Sequence, residues 1–208
     1  MNKTAVQAGA YLHHLAFESS NPARLATFYS NAMDMDVTQL SHSEWRCEGP
    51  GRRMIVVPGT DKQLAYAGFA CRDQAGLTAL RLRAQQEGLE ISDSPSPYFQ
   101  PDAFALCDPN GQTLCFGLAK LAQTYRAGLQ GPVQPLTCAA TNVESFVAFY
   151  QNRLGFLLTQ QDTLRQIERR IMARFETALA DAAGEAGRSP TIDGPRTMML
   201  FGTLNWTY

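Results

Sequence analysis

Apolar residues change their spacing several times along the chain, and each change predicts an element. Tyr11 to Ser19 reads as a strand, and Asn21-Pro22 then opens a helix. An amide caps it, proline takes the first helical position, and Leu25, Phe28, Tyr29 and Met33 follow at spacings of three and four. Glu44 to Glu48 and Arg53 to Val57 are short strand-like runs around Gly49-Pro50-Gly51, which predicts a hairpin. Leu64 to Cys71 is a further strand. Asp73 then caps a helix over Gln74 to Glu87 that carries Leu77, Leu80 and Ala84 on one face and ends at Gly88. Phe104 to Cys107 and Gln112 to Leu118 flank Asp108-Pro109-Asn110-Gly111, whose Asp, Pro and Gly suit a type I turn. The pattern from Tyr11 to Leu118 is strand, helix and three strands, with an additional helix inserted. It predicts Leu25, Phe28 and Leu80 buried against one curved sheet.

The strand-helix grammar returns later in the chain. Asn142, Phe146, Phe149, Tyr150 and Leu154 stand 121 positions after Asn21, Leu25, Phe28, Tyr29 and Met33. Leu15 and Leu136, Asn31 and Asn152, Thr38 and Thr159, and Gln39 and Gln160 keep the same register, which points to a duplicated unit. The second copy lacks hairpin signals after Gln161. Leu164, Ile167, Ile171, Phe175 and Leu179 instead mark one long helix ending near Gly184 or Gly187, and Pro195 opens a segment through Met198, Leu200, Phe201, Leu204 and Trp206. The expected organisation is a first module over 1–121, a truncated strand-helix unit over 122–160 and a helical tail over 161–208.

Charge narrows the partners. With 18 basic and 19 acidic residues, the chain carries no field that draws it to nucleic acid or an anionic membrane. Neither a signal peptide nor a membrane span is evident. Cys47, Cys71, Cys107, Cys115 and Cys138 form no CxxC pair and sit in apolar runs, which suits reduced thiols in a cytoplasmic protein. There is no Gly-rich phosphate loop, no GxSxG elbow and no HExxH.

His13-His14-Leu15-Ala16-Phe17, Phe28-Tyr29, Gly68-Phe69 and Asp108-Pro109-Asn110-Gly111 with Phe116-Gly117 occur in the order and spacing of a vicinal oxygen chelate module. The chain thus resembles the glyoxalase, bleomycin-resistance and extradiol-dioxygenase superfamily. Arg46 to Arg53 and Gly68 to Asp73 are most similar to the N-terminal module of biphenyl-2,3-diol and catechol extradiol dioxygenases. Ile171 to Ala183 and Met199 to Tyr208 resemble ligand-binding helices of tetracycline-repressor-type regulators, with no helix-turn-helix before them. The closing Trp206-Thr207-Tyr208 reads as a chain cut inside a helix, as in a gene fusion or frameshift. The implied fold is α+β: a βαβββ module, an incomplete second module and a helical tail.

The resemblance implies Fe(II), held by two imidazoles and one carboxylate with positions left open for catechol and dioxygen. The family's ligand positions fall on His14, Tyr66 and Cys115, of which only His14 is a normal ligand for that site. In the second copy Pro135 takes the place of His14. Neither copy therefore assembles the triad, iron is not expected to bind, and no catalytic residue is assigned. His13 should face away from His14, because strand side chains alternate. His42 reads as a solvated loop residue, Glu18 and Glu48 as surface charges, and Arg52-Arg53 as a solvated edge.

Three functions follow. The first is an extradiol dioxygenase-like protein that is inactive alone. The second is a metal-free module holding a small aromatic molecule against Trp45, Tyr66, Phe69, Tyr98 and Phe116. The third is a fusion fragment without selected activity, its tail covering a sheet edge or pairing two chains as a homodimer.

Overall fold

A computed structural model of the chain describes residues 3–120, 137–157 and 201–203. After a short helix, α1 (Thr4–Gln7), the chain enters β1 (Tyr11–Ser19), α2 (Pro22–Met33), β2 (Asp36–Gln39), β3 (Trp45–Gly49) and β4 (Arg52–Pro58). It then repeats that order with β5 (Leu64–Ala70), α3 (Gln74–Gln86), β6 (Ser92–Asp93), β7 (Phe104–Cys107) and β8 (Thr113–Gly117). The helix expected as an insertion is therefore the counterpart of α2, and the module consists of two βαβββ units.

All eight strands form one mixed sheet in the order β2-β3-β4-β1-β5-β8-β7-β6. β1 runs parallel to β4, β5 runs parallel to β8, and β1 meets β5 antiparallel at the centre. The order reads the same outward from the β1–β5 seam in both directions, so the two units are related by an approximate two-fold axis through that seam.

Local chemistry sets the helix ends alike in both units. Asn21 Oδ1 accepts the Arg24 N–H at 3.1 Å, and Asp73 Oδ1 accepts the Gly76 N–H at 2.8 Å. On α2 the buried stripe runs through Ala26 and the partly buried Leu25, Tyr29 and Met33, over Met35, Cys47, Met54 and Val56. Phe28 falls off the edge of that stripe and is 55% exposed, contrary to expectation. Leu25, Tyr29 and Met33 stand four apart, and the face they share turns Ala26 to the sheet and leaves Phe28 on its far edge. Leu25 is only partly covered, whereas Leu80 on α3 is fully buried with Leu77 and Ala84.

In the second unit Phe116 stacks between Phe69 and Phe104, with centroids 5.4 Å apart on each side. Each such buried ring contributes roughly 1.5–3 kcal/mol. Phe156 joins them at 5.7 Å from Phe69. It is delivered by α4 (Val143–Ala148) and the π-helical turn Phe149–Leu154 that continues it. The repeat seen in the sequence is visible here in backbone detail. Asp34 and Gly155 both end their helices in the left-handed region, with φ of 49° and 78°. Met35 N–H and Phe156 N–H then bond back to the carbonyls of Tyr29 and Tyr150.

The Asp108–Gly111 turn forms as expected: Gly111 N–H donates to the Asp108 carbonyl at 2.9 Å, and Gly111 takes φ 79°. It also anchors the later helix, because Asp108 Oδ2 accepts the Tyr150 hydroxyl at 3.1 Å.

The described residues divide into two compact units. One holds the eight-stranded sheet, its helices and Glu144–Leu157. The other contains β9 (Thr137–Ala139) and β10 (Phe201–Thr203), which pair antiparallel. At Phe201–Thr203 the expected helical tail is thus a strand, its backbone groups paired with β9 rather than along a helix. The rest of that tail, including the regulator-like segment, lies outside the described residues.

Candidate functional site

The helices cover one face of the sheet, and the opposite, cupped face gathers the chemically distinctive side chains. His14 on β1, Gly68 on β5 and Cys115 on β8 are aligned in register across three adjacent central strands. Tyr66 stands two residues from Gly68 on the same face, its ring 5.7 Å from that of His14. The absent side chain at Gly68 makes room for the imidazole: a Cβ there would lie 2.1 Å from the His14 ring. The three positions marked in the sequence therefore converge, all of them buried.

His13 belongs to the same cluster, against expectation. The β1–β5 register slips between Leu12 and His14, so that His13 is an extra residue in a bulge. The bulge cancels the alternation that would send the two rings to opposite faces. His13 Nδ1 and His14 Nδ1 are 2.9 Å apart, which requires one ring to donate and the other to accept.

The segment 94–100, between β6 and β7, closes the cup. Ser96 Oγ is 2.7 Å from His14 Nε2 and accepts the Tyr98 N–H at 3.2 Å. The Tyr98 and Phe99 rings lie 4.8 and 5.0 Å from the His14 ring. Ser96 carried no signal in the sequence beyond its place between Pro95 and Pro97, where it read as loop.

Burial governs the protonation of this cluster. It lowers the His13 pKa to about 4 and holds His14 well below the usual histidine range, with the Arg53 guanidinium adding to both shifts and His13 adding to that of His14. Burial raises the Tyr66 phenol, reinforced by Cys115, and raises the Cys115 thiol to about 11. At neutral pH the cup therefore presents two neutral imidazoles, a phenol and a thiol.

Other marked residues lie elsewhere. Phe69 and Phe116 belong to the helix-side stack and Trp45 to the α2 cluster, so only Tyr66 and Tyr98 of the expected aromatic walls face the cup. Glu48 is buried and paired with Arg46 at 3.0 Å rather than a surface charge. Glu18 accepts the Thr60 N–H at 2.9 Å. Arg52 is buried against Gly49, while Arg53 lies close enough to the histidines to act on their charge. His42 is exposed in its loop. Cys107 is exposed, while burial holds the Cys47 and Cys71 thiols up at about 12.

No family model and no curated protein matches the sequence. Solved structures do match the fold. A catechol 2,3-dioxygenase aligns over 67% of this chain and 56% of its own, with TM-score 0.54 and 16% identity. BphC, a halotolerant catechol dioxygenase, aligns over 70% and 55%, with TM-score 0.56 and 17% identity. A Mn(II)-bound glyoxalase from Novosphingobium aromaticivorans aligns over 70% and 52%, with TM-score 0.51 and 12% identity. The chain spans about half the length of these structures. The eight-stranded module has the vicinal oxygen chelate fold that these structures share.

That fold implies a metal on the cupped face, and the residues present there do not fit one. A facial site for Fe(II) needs two imidazoles and a carboxylate with open positions. At the three positions that the resemblance marked, this cup offers one imidazole together with a phenol and a thiol that burial holds protonated. The His14 nitrogens already face His13 and Ser96. Among the described residues no group of three or more His, Cys, Asp and Glu side chains is placed to hold a metal ion. Nor is any helix among them long and apolar enough to cross a membrane.

Proposed function

We propose that this chain is an extradiol dioxygenase-like protein of the aromatic-diol ring-cleavage class, in which the eight-stranded module is a scaffold rather than the metal-bearing half. One observation supports the reading: His14, the residue that the family resemblance marks as a ligand, has Tyr66 and Cys115 as its marked companions, and Ser96 Oγ lies 2.7 Å from its Nε2. Ring cleavage by the chain on its own would require a carboxylate and a second metal-facing imidazole at those two positions. A metal-free pocket for small aromatics is disfavoured, because Tyr98 and Phe99 fill the space that such a molecule would take. Among the described residues, the free thiols of Cys47, Cys71, Cys107 and Cys115 support a cytoplasmic setting.

The test is to incubate the purified chain with Fe(II) under anaerobic conditions, measure bound metal, and follow oxygen uptake with catechol and 2,3-dihydroxybiphenyl. The expected result is substoichiometric iron and no uptake. One iron per chain that is lost in His14→Ala, together with a yellow ring-fission product, would overturn the proposal.

A further inference from the structure

The mismatch between the fold's metal position and the residues found there has a structural counterpart in the segment 94–100. Its three inward side chains each meet a different demand of the cup. Ser96 hydrogen-bonds the buried imidazole, and its oxygen also receives the Tyr98 N–H, so the group is satisfied without solvent. Tyr98 and Phe99 cover both imidazoles, lying 5.7 Å from His13 as well. The sheet is shaped to receive them: at Gly117 a Cβ would meet Phe99 at 2.6 Å.

The backbone of the segment is tied down beside β8. Gln100 N–H donates to the Leu118 carbonyl at 3.0 Å, Lys120 N–H to the Tyr98 carbonyl at 2.8 Å, and Phe99 bridges Ala119. Lys120 Nζ adds a bond to the Pro97 carbonyl at 2.8 Å. Pro95 and Pro97 restrict the backbone on either side of Ser96.

We propose that the segment 94–100 is a built-in occupant of the cupped face: the Tyr98 and Phe99 rings take the place of a planar aromatic ligand, and Ser96 takes the imidazole nitrogen that a metal would need. This rests on the scaffold reading above and goes further, since it names what fills the site and what chemistry the face accepts. Removing one ring should leave a cavity that takes up a single free aromatic ring in contact with His14.

Phenol, the fragment lost in Tyr98→Ala, is the probe. In the full chain carrying Tyr98→Ala, phenol should raise the melting temperature and shift the His14 ring resonances in NMR spectra. It should do neither in the native chain. A control cavity in α3, Leu80→Ala, should leave the His14 resonances unmoved by phenol. Should Tyr98→Ala not fold, Phe99→Ala with benzene gives the same readout. His14 shifts caused by phenol in the native chain would show an open cup and overturn the proposal, as would the absence of any shift in the folded ring-deleted variant. No metal enters these measurements, so they decide the occupant independently of the iron and oxygen assays.

Discussion

His14 Nε2 and Ser96 Oγ lie 2.7 Å apart although 82 residues separate them in the chain. The contact joins the central strand to the loop that covers it, and both residues are buried. Removing the hydroxyl strands a buried imidazole nitrogen, which typically costs about 1–3 kcal/mol. Ser96→Ala should accordingly lower the urea midpoint at an unchanged m value. An unaltered midpoint would mean that water or a neighbouring group replaces Ser96 without loss.

The histidine pair sets the direction of the acid response. His13 titrates near 4 in the folded chain and near 6.5 when unfolded, so the unfolded state binds protons first. Stability contributed by the neutral imidazole is fully present above pH 6.5 and is lost as the pH falls through about 4. His13 alone accounts for a loss on the order of 3 kcal/mol, and His14 acts in the same direction. Arg53 opposes protonation of both rings, while burial keeps the Tyr66 phenol beside His14 protonated over this range. Denaturation midpoints measured between pH 7 and 4 should fall in the native chain and fall less in His13→Gln. Equal slopes would contradict the assignment.

Gly68 is a steric position. Its φ is not in the left-handed region, so the cost of a side chain comes from the His14 ring, 2.1 Å from where a Cβ would be. Gly68→Ala should destabilise by at least the roughly 1–3 kcal/mol usual for overpacking. In the His14→Ala background the same change should cost much less, a coupling that a double-mutant cycle measures directly. Additive effects would place the imidazole elsewhere.

Two apolar residues at equivalent helix positions should behave differently. Phe28 is largely exposed and Leu80 fully buried, so Phe28→Ala should stay within about 0.5 kcal/mol of the native stability. Leu80→Ala should lose roughly 2–5 kcal/mol through the cavity left behind. A comparable drop in melting temperature for both would mean that Phe28 is covered in solution.

Short-range chemistry was legible along the chain. Asn21 and Asp73 cap the helices they precede, Gly88 and Gly111 take positive φ at their turns, and the 121-residue repeat returns as matching helix ends at Asp34 and Gly155. Each depends on bonds within a few residues, so residue identity at fixed spacing suffices. The convergence of His14, Tyr66 and Cys115 was legible through the resemblance, which carries a whole topology at once.

What the sequence by itself determined, then, was the local elements with their caps and turns, and the class of fold that their motifs resemble. Only the tertiary structure decided that α3 is the partner of α2 across a two-fold seam, because that depends on the pairing of β1 with β5. It alone turned His13 toward His14, since a bulge is a property of the pairing between two strands and not of either one. It alone brought Ser96 and Phe99 over the imidazoles beside Tyr98, the aromatic wall marked in the sequence, because a long-range contact made from a loop depends on the sheet that closes beneath it.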